Sequence, residues 1–326
     1  MNDSGAPRDG LASGPPAEER VIGRRRSDRI VGSSRAIQDV IEQAVAAAAT
    51  DLPVRIAGPA GVGKEQIARA IHGWSARAPN PFVVTSSVGV PEALRGRALF
   101  GCAESTYPGM PEAHDGSLAR AAGGTLLVDH ADLLGSDLWQ ALAKALADRR
   151  FQREGDGGPI PLTARVIAVS RSPLPSSVLR ELPHHEIIVP PLAERSEDIL
   201  PLATHFLGLA ASEAEVEAVG FTGEARTALL TDPWPGNARE LAERVGQALR
   251  LCRSGAITAE ALLIAAPPDQ IPSFKDAKRA FERRYVTGLL RRCDGNISRA
   301  ARLAKKDRKD FYDVIRRTGV DPTEFR

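Results

Sequence analysis

Residues 52–65 read LPVRIAGPAGVGKE, and this stretch decides the fold. A short apolar run, typical of a buried strand, leads into glycines at positions 58, 61 and 63 and then into Lys64. The GxxxxGK spacing lets backbone N–H groups wrap phosphates while the lysine reaches the outer ones, at the start of the next helix. The stretch therefore predicts a strand, a phosphate-binding loop and a helix, in that order.

Similar short apolar runs recur along the chain, separated by segments of helix length. The five runs are LPVRIAG (52–58), PFVVTSS (81–87), GTLLVD (124–129), ARVIAVS (164–170) and EIIVPPL (186–192). Strands that alternate with helices predict βαβ units and an α/β fold whose parallel sheet is covered by helices on both faces. Residues from about 197 to 265 read as helices only, and a Pro-rich stretch at 266–273 precedes a last helical cluster.

Composition excludes several classes of protein. The 326 residues are 43% hydrophobic and 26% charged, as in ordinary soluble proteins. No apolar run approaches the roughly 18–20 residues needed to span a bilayer, so we expect a cytoplasmic protein without a membrane partner. Cys102, Cys252 and Cys293 are widely spaced, which indicates neither a disulfide framework nor a zinc site.

The charge is distributed unevenly along the chain. Residues 275–326 contain 16 Lys and Arg against 8 Asp and Glu, whereas residues 30–274 contain 21 against 28. A basic segment attached to an acidic body favours binding to a phosphate backbone, although a solvated helical tail has the same composition.

Several blocks of the chain resemble, in the same order, those of the AAA+ domain of bacterial enhancer-binding proteins, the sigma-54-dependent transcription activators. In that family a glutamate commonly follows the loop lysine, as Glu65 does here. The blocks are IVGSSRAIQDV (30–40), GPAGVGKE (58–65), ALFG (98–101), GGTLLVD (123–129), RVIAVS (165–170), PPLAERSEDILPLATHFL (190–207) and WPGNAREL (234–241).

The resemblance implies an AAA+ P-loop sheet, a small all-helical lid and a C-terminal helix-turn-helix domain, with ATP or ADP and Mg²⁺ as ligands. The expected boundaries are a disordered basic N-terminal arm at 1–29, the α/β subdomain at 30–196, the lid at 197–265, a linker at 266–273 and the last domain at 274–326. With structure starting near residue 30, we expect no separate N-terminal sensory domain. The implied nucleotide-binding residues are Gly58, Pro59, Ala60, Gly61, Val62, Gly63, Lys64, Glu65, Asp129 and Arg239, with Asp129 also as the magnesium ligand.

The groups that the family uses for hydrolysis are replaced. The catalytic glutamate falls on His130, the sensor asparagine on Arg171, and the two arginines that a neighbouring subunit inserts fall on Pro175 and Glu181. A positioned base is worth about 10² to 10⁴ in rate and an arginine finger about 10³ to 10⁵, so we expect weak or no hydrolysis. Alternatives are a register shift of one residue in the 175–181 loop, a contribution from Arg180, or His130 acting as a base.

The loop expected to contact sigma-54 also departs from the family pattern. Its positions fall on residues 105–110, with Tyr107 at the aromatic tip, Pro108 in place of the contacting threonine, and Gly109 as a hinge. Proline fixes φ, so we expect a stiffer loop and no productive contact with sigma-54.

The C-terminal segment predicts one amphipathic helix at 274–293, a break at Asp294-Gly295, a short helix capped by Ser298 and a second from Arg308 to Arg317 capped by Asp307. It resembles a Fis-type helix-turn-helix, which implies double-stranded DNA as a partner and a dimer formed through the first helix. Lys305 replaces the turn glycine, and Asp307, Asp310 and Asp313 oppose the phosphate field. The expected DNA contacts are Arg299, Arg302, Arg308, Lys309, Tyr312, Arg316 and Arg317.

The predicted function is therefore a DNA-binding transcription regulator with a nucleotide-binding but hydrolytically weak AAA+ module. Two alternatives stay open: a working sigma-54 activator ATPase, and a silent subunit that modulates another AAA+ activator. Self-association as a ring and contact with RNA polymerase are further possible partnerships that the resemblance implies.

Overall fold

A computed structural model of the chain describes residues 30–104, 106, 113–155, 158–171, 183–252, 255–266 and 270–325. The chain divides into two compact units, Met1–Leu262 and Leu263–Arg326, which are treated separately below. The predicted N-terminal arm at 1–29 lies outside the described residues.

The first unit is built on a parallel sheet. Within the described residues the main sheet has five strands in the order β2-β5-β8-β1-β9, and all neighbouring pairs run parallel. Four of the five apolar runs contain a whole strand of this sheet, and the fifth, 186–192, contains all of its strand except His185. That last strand ends at Ile188. The Val189 N–H still donates to the Ala57 carbonyl at 2.8 Å, and the prolines at 190 and 191 then lack the N–H that a ladder requires. The strands are Val54–Ala57 (β1), Phe82–Ser86 (β2), Gly101–Cys102 (β3), His114–Asp115 (β4), Thr125–Asp129 (β5), Arg150–Phe151 (β6), Ile160–Pro161 (β7), Arg165–Ser170 (β8) and His185–Ile188 (β9).

Helices cover both faces of the sheet. Successive side chains of a strand point to opposite faces, so Leu127 packs with Ile37 and Ile67 on one side, while Leu126 packs with Trp139 on the other. The helices of this part are Arg35–Ala48 (α1), Lys64–Trp74 (α2), Glu92–Phe100 (α3), Ser117–Arg120 (α4) and Ser136–Asp148 (α5). The predicted α/β fold is confirmed.

The rest of the first unit is helical. Its helices are Ile199–Glu213 (α6), Gly223–Thr231 (α7) and Asn237–Cys252 (α8), followed by Ala259–Ile264 (α9), which crosses the division between the units. Trp234 anchors the loop before α8: its side chain is buried, and its Nε1–H donates to the Leu229 carbonyl at 2.8 Å. Arg244 lies over the Trp234 ring at 5.0 Å and pairs with Asp232 at 2.6 Å, which fixes the loop against α8.

The second unit contains three main helices, Phe274–Arg292 (α10), Ile297–Leu303 (α11) and Arg308–Thr318 (α12). The break after α10 lies at Asp294 and Gly295, which both have positive φ, as the sequence predicts. The prediction that Ser298 caps α11 is wrong: Asn296 is the N-cap, and its Oδ1 accepts from the Arg299 N–H at 3.0 Å. Asp307 caps α12 as predicted, accepting from the Lys309 N–H at 2.8 Å.

Two further observations concern membrane-spanning helices and cysteines. None of the helices in the described ranges is long and apolar enough to cross a membrane. Cys102 and Cys293 are buried, Cys252 is half-buried, and all three are free thiols.

Candidate nucleotide-binding site and C-terminal helices

The loop between β1 and α2 has the backbone shape of an anion site. Gly61 and Gly63 have φ values of 76° and 100°, a region that L side chains rarely adopt. Gly63 is the N-cap of α2 and no side chain caps the helix start in the described structure, so the first N–H groups of α2 are left for a ligand. A Cβ on Gly61 would also overlap the carbonyl oxygen of Gly236. Gly61 is therefore required by its φ and by this close approach, and Gly63 by its φ.

Lys64 lies folded back onto this loop. Its Nζ donates to the carbonyls of Gly58 at 2.6 Å and Pro59 at 2.7 Å. Burial lowers the pKa of Lys64 from its usual value, opposed mainly by Asp129 and then by Asp132. A phosphate on the loop would offer the ammonium group a stronger, charged acceptor than these carbonyls.

Asp129 and His130 form an unusual pair at the end of β5. His130 has φ 51° and ψ 46°, a left-handed conformation that is uncommon outside glycine. Its backbone N–H donates to Asp129 Oδ1 at 2.9 Å, and its Nδ1 lies 2.9 Å from Asp129 Oδ2 without forming a hydrogen bond. Both oxygens of the Asp129 carboxylate are therefore in contact with His130.

A cavity of about 270 Å³ lies beside the loop. Its wall includes Lys64, Asp129 and His130 from the α/β part, Arg171 from the end of β8, and Arg239 from α8. The remaining lining residues are Ala60, Gly61, Gly63, Glu65, Gln66, Val169, Ser170, Phe206, Ala238 and Ala242. The structure thus brings the predicted residues Lys64, Asp129 and Arg239 into one cavity. The side chain of Val62, in contrast, is buried in the core.

Three residues that follow β9 in the chain donate hydrogen bonds to carbonyls of the phosphate-binding loop. Asn237 Nδ2 donates to the Ala60 carbonyl at 2.9 Å, the Arg239 N–H donates to the Gly61 carbonyl at 3.2 Å, and Arg195 Nη2 donates to the Val62 carbonyl at 2.9 Å. Burial lowers the pKa of Arg195, opposed by Asp198. Three consecutive loop carbonyls are therefore fixed by donors from outside the loop.

Sequence reasoning missed Asn237 and Arg195 as members of the site. Both are buried, and both occur inside blocks quoted above for the resemblance, WPGNAREL and PPLAERSEDILPLATHFL. Position within those blocks was the available signal, because no local pattern indicates that these side chains donate to carbonyls of a loop so far away in the chain.

A second, mainly apolar pocket of about 200 Å³ shares Gly63, Gln66, Phe206 and Ala238 with the cavity. Its other walls are Ile30, Val31, Ile37, Val62, Ile67, Arg195, Leu202, His205 and Leu209. An apolar pocket that adjoins an anion site offers space for a planar ring attached to phosphates. The sequence did not predict this pocket.

Several predicted positions cannot be placed. The sigma-contact positions Tyr107, Pro108 and Gly109, and the positions Pro175, Arg180 and Glu181, lie outside the described residues.

The C-terminal positions are placed on α11 and α12. Arg299, Arg302, Arg308, Lys309, Tyr312, Arg316 and Arg317 are all exposed. Arg317 also pairs with Glu282 of α10, at 2.7 Å. Lys305 has φ 52°, so the lysine itself adopts the left-handed conformation of the turn. Asp310 and Asp313 are exposed on α12 among these basic residues.

The fold and the loop define an AAA+ P-loop nucleotide-binding protein. Residues 30–186 match the family model of the Sigma-54 interaction domain, and residues 193–271 match that of the AAA+ ATPase lid domain. The chain belongs to the bacterial enhancer-binding protein family of sigma-54-dependent transcription regulators.

Individual relatives agree with this assignment. The transcriptional regulatory protein GlrR of Escherichia coli K12 is 32% identical over 330 residues, which cover 98% of this chain and 73% of GlrR. The regulatory protein AtoC of the same organism is 30% identical over 316 residues, covering 90% of this chain and 68% of AtoC. The crystal structure of NtrX from Brucella abortus in complex with ATP is similar, with a TM-score of 0.64 and 27% identity, covering 89% of this chain and 69% of NtrX.

Proposed function

We propose that this protein is a DNA-binding transcription regulator that binds ATP or ADP at the phosphate loop, hydrolyses it weakly or not at all, and makes no productive contact with sigma-54. The observation that carries the proposal is the Asp129–His130 pair. The loop, Lys64 and Arg239 share one cavity, while the position that follows Asp129 holds an imidazole in contact with the Asp129 carboxylate.

Hydrolysis needs a group that takes a proton from the attacking water. A carboxylate after Asp129 would supply a base, whereas the Nδ1 of His130 lies against Asp129 Oδ2 at 2.9 Å. Loss of a positioned base lowers a rate by about 10² to 10⁴. The substitutions at Pro175 and Glu181 add to this expectation from the sequence alone.

Nucleotide would act as a conformational ligand. Lys64 and Arg239 come from the α/β part and the helical part respectively, and both line the cavity. A phosphate chain held by both would favour the arrangement in which the helical part lies against the loop. The assignment of Asp129 as a magnesium ligand stays a prediction that rests on the family resemblance alone. The proposed domain boundaries are those predicted from the sequence: the α/β subdomain ends at 196, the lid at 265 and the linker at 273.

The C-terminal helices would bind DNA. Helix α12 buries Phe311 and Ile315 and leaves Arg308, Lys309 and Arg316 exposed, as a major-groove helix requires. The exposed Phe281 and Tyr285, whose rings stack at 6.0 Å on α10, support a dimer through this helix.

The test is nucleotide binding and hydrolysis measured on one preparation of the full chain, with and without DNA. Calorimetry should detect ATP and ADP binding that Lys64→Ala abolishes, while phosphate release stays at the level of Lys64→Ala. The matched control, Lys144→Ala, removes a lysine of α5 that does not line this cavity, and should bind nucleotide normally. Turnover typical of an AAA+ activator that persists in His130→Ala would refute the proposal.

The sigma-54 part is tested separately. We expect no open promoter complex when the protein and ATP are added to sigma-54 holoenzyme on its own target DNA. Promoter opening would establish the activator alternative instead. Stable copurification with a second AAA+ activator whose hydrolysis it lowers would establish the silent-subunit alternative.

A further inference from the structure

The charges around the phosphate cavity are unbalanced. Among the described lining residues, Lys64, Arg171 and Arg239 are cationic, and Glu65 and Asp129 are anionic. The Glu65 carboxylate is already paired with Arg69, outside the cavity lining, at 2.7 Å. Arg171 is likewise paired with Asp132, outside the lining. With both pairs set aside, Lys64 and Arg239 still exceed the single charge of Asp129 in the wall that would surround a phosphate chain.

Arg171 stands where the family has its sensor asparagine, and it was not among the predicted nucleotide-binding residues. It follows β8 directly, its side chain is 59% exposed, and its Nε lies 3.2 Å from Asp132 Oδ2. Its two Nη groups make no hydrogen bond to the part of the chain that the structure describes. The Asp132 side chain is 18% exposed, and Arg171 meets it through a single nitrogen. The Nη groups are therefore left to meet a phosphate while Nε stays near Asp132.

The donor set fits a magnesium ion poorly. Mg²⁺ demands near-octahedral oxygen ligands and is usually held by one or two carboxylates together with phosphates. Both oxygens of Asp129 contact His130, and the Glu65 carboxylate is turned to Arg69.

We infer that this site binds a nucleoside triphosphate without a divalent cation, with the Arg171 guanidinium neutralising the terminal phosphate. The inference rests on the proposed nucleotide binding and adds its metal independence. A guanidinium presents a planar fork of donors that matches two phosphate oxygens. Because a diphosphate lacks the terminal group, Arg171 should favour ATP over ADP.

The experiment is isothermal titration of the full chain with ATP and with ADP, in excess EDTA and in MgCl₂. For the native sequence, the ATP affinity in EDTA should lie within about threefold of that in MgCl₂, since Lys64, Arg171 and Arg239 supply the positive charge that a metal ion would otherwise provide. Arg171→Asn should weaken ATP binding in EDTA by about tenfold to a hundredfold, the worth of a charge-assisted hydrogen bond to phosphate. ADP binding should change by less than about threefold.

Arg35→Asn is the matched control. Arg35 pairs with Asp39 at 2.8 Å, so this variant also removes one arginine from an Arg–Asp pair, but on α1 and outside the cavity lining. It should bind ATP in EDTA as the native protein does. Loss of affinity equal to that of Arg171→Asn would mean that overall charge, and not Arg171, is responsible.

The outcomes separate the inference from the proposed function. ATP binding that requires MgCl₂ overturns the inference and leaves nucleotide binding intact, whereas no binding in either buffer overturns the proposed function. An Arg171→Asn protein with unchanged ATP affinity overturns the role of Arg171. Should Arg171→Asn fail to fold, the comparison of EDTA with MgCl₂ on the native chain still decides metal independence. The role of Arg171 is then tested with Arg171→Lys, which keeps the charge but lacks the planar fork of donors, and which should also weaken ATP binding in EDTA.

Discussion

Asn237 offers the sharpest test of how the helical part holds the phosphate loop. Its side chain is 2% exposed, and its backbone is left-handed at φ 57°. Its Nδ2 donates to the Ala60 carbonyl at 2.9 Å and its Oδ1 accepts from the Leu192 N–H at 2.7 Å. One amide therefore ties the loop, the segment after β9 and the start of α8 together.

The cost of removing this amide follows from the two groups it leaves behind. Asn237→Gly keeps the left-handed backbone but strands the Leu192 N–H and the Ala60 carbonyl, each at about 1–3 kcal/mol if water does not replace the amide. The expected loss in unfolding free energy is thus about 2–6 kcal/mol. Asn237→Ala should cost about 1 kcal/mol more, because the left-handed region is unfavourable for alanine.

Urea unfolding followed by tryptophan fluorescence measures this loss selectively. All three tryptophans, Trp74, Trp139 and Trp234, lie in the first unit, so their signal reports on that unit alone. Asn80→Gly is the control, since Asn80 is exposed and its Nδ2 donates to the Gly123 carbonyl at 3.1 Å. An Asn237→Gly protein within about 0.5 kcal/mol of the native sequence would refute the reasoning, because surface-like substitutions have effects of that size.

Three further predictions concern pH, the turn and the dimer. Burial and then Arg165 lower the pKa of His72 below its ordinary value of 6.5. Below about pH 6.5 the unfolded chain therefore binds a proton that the folded chain does not. The free energy of unfolding then falls with pH, by at most about 1.4 kcal/mol per pH unit. In urea unfolding at several pH values, the free energy of unfolding should therefore change less with pH for His72→Gln than for the native chain. Lys305→Gly should stabilise α11 and α12 by about 1 kcal/mol, because glycine accepts φ 52° without strain. Amide exchange in both helices should therefore slow, and unchanged exchange would contradict this. Replacing Phe281 and Tyr285 together by serine should shift the sedimentation of the full chain toward monomer and weaken DNA binding, and a persistent dimer would exclude this surface.

The sheet was predictable because its signals are local. Each buried strand appears as a continuous apolar run bounded by turn residues, so Leu126 and Leu127 needed no knowledge of their neighbours to be assigned to a strand. The phosphate loop was predictable for the same reason, since the glycine spacing and Lys64 lie within eight consecutive residues. The cap of α11 was misassigned because Asn296 and Ser298 are both good N-caps, and sequence alone does not fix which residue leaves the helix.

The parts of the site that depend on an unusual backbone conformation or on distant contacts were not predictable. The left-handed backbone of His130 and its contact with both Asp129 oxygens arise from local geometry that residue type does not reveal. The bonds from Asn237 and Arg195 to the loop join residues far apart in the chain, 177 apart for Asn237 and Ala60 and 133 apart for Arg195 and Val62. Such bonds are decided by how the helical part packs, which no short pattern encodes.

A site that binds nucleotide without cutting it constrains how the protein can be regulated. Without turnover, occupancy follows the free concentration of each nucleotide, and the stabilisation gained is set by the ratio of that concentration to the dissociation constant. A difference between ATP and ADP can then act only through a difference in their affinity for the two conformations. In the proposed cavity that difference must come from a group that meets the terminal phosphate. Arg171 is the side chain of this wall best suited to provide it, because its Nη groups make no hydrogen bond to the described residues and only its Nε is paired, with Asp132.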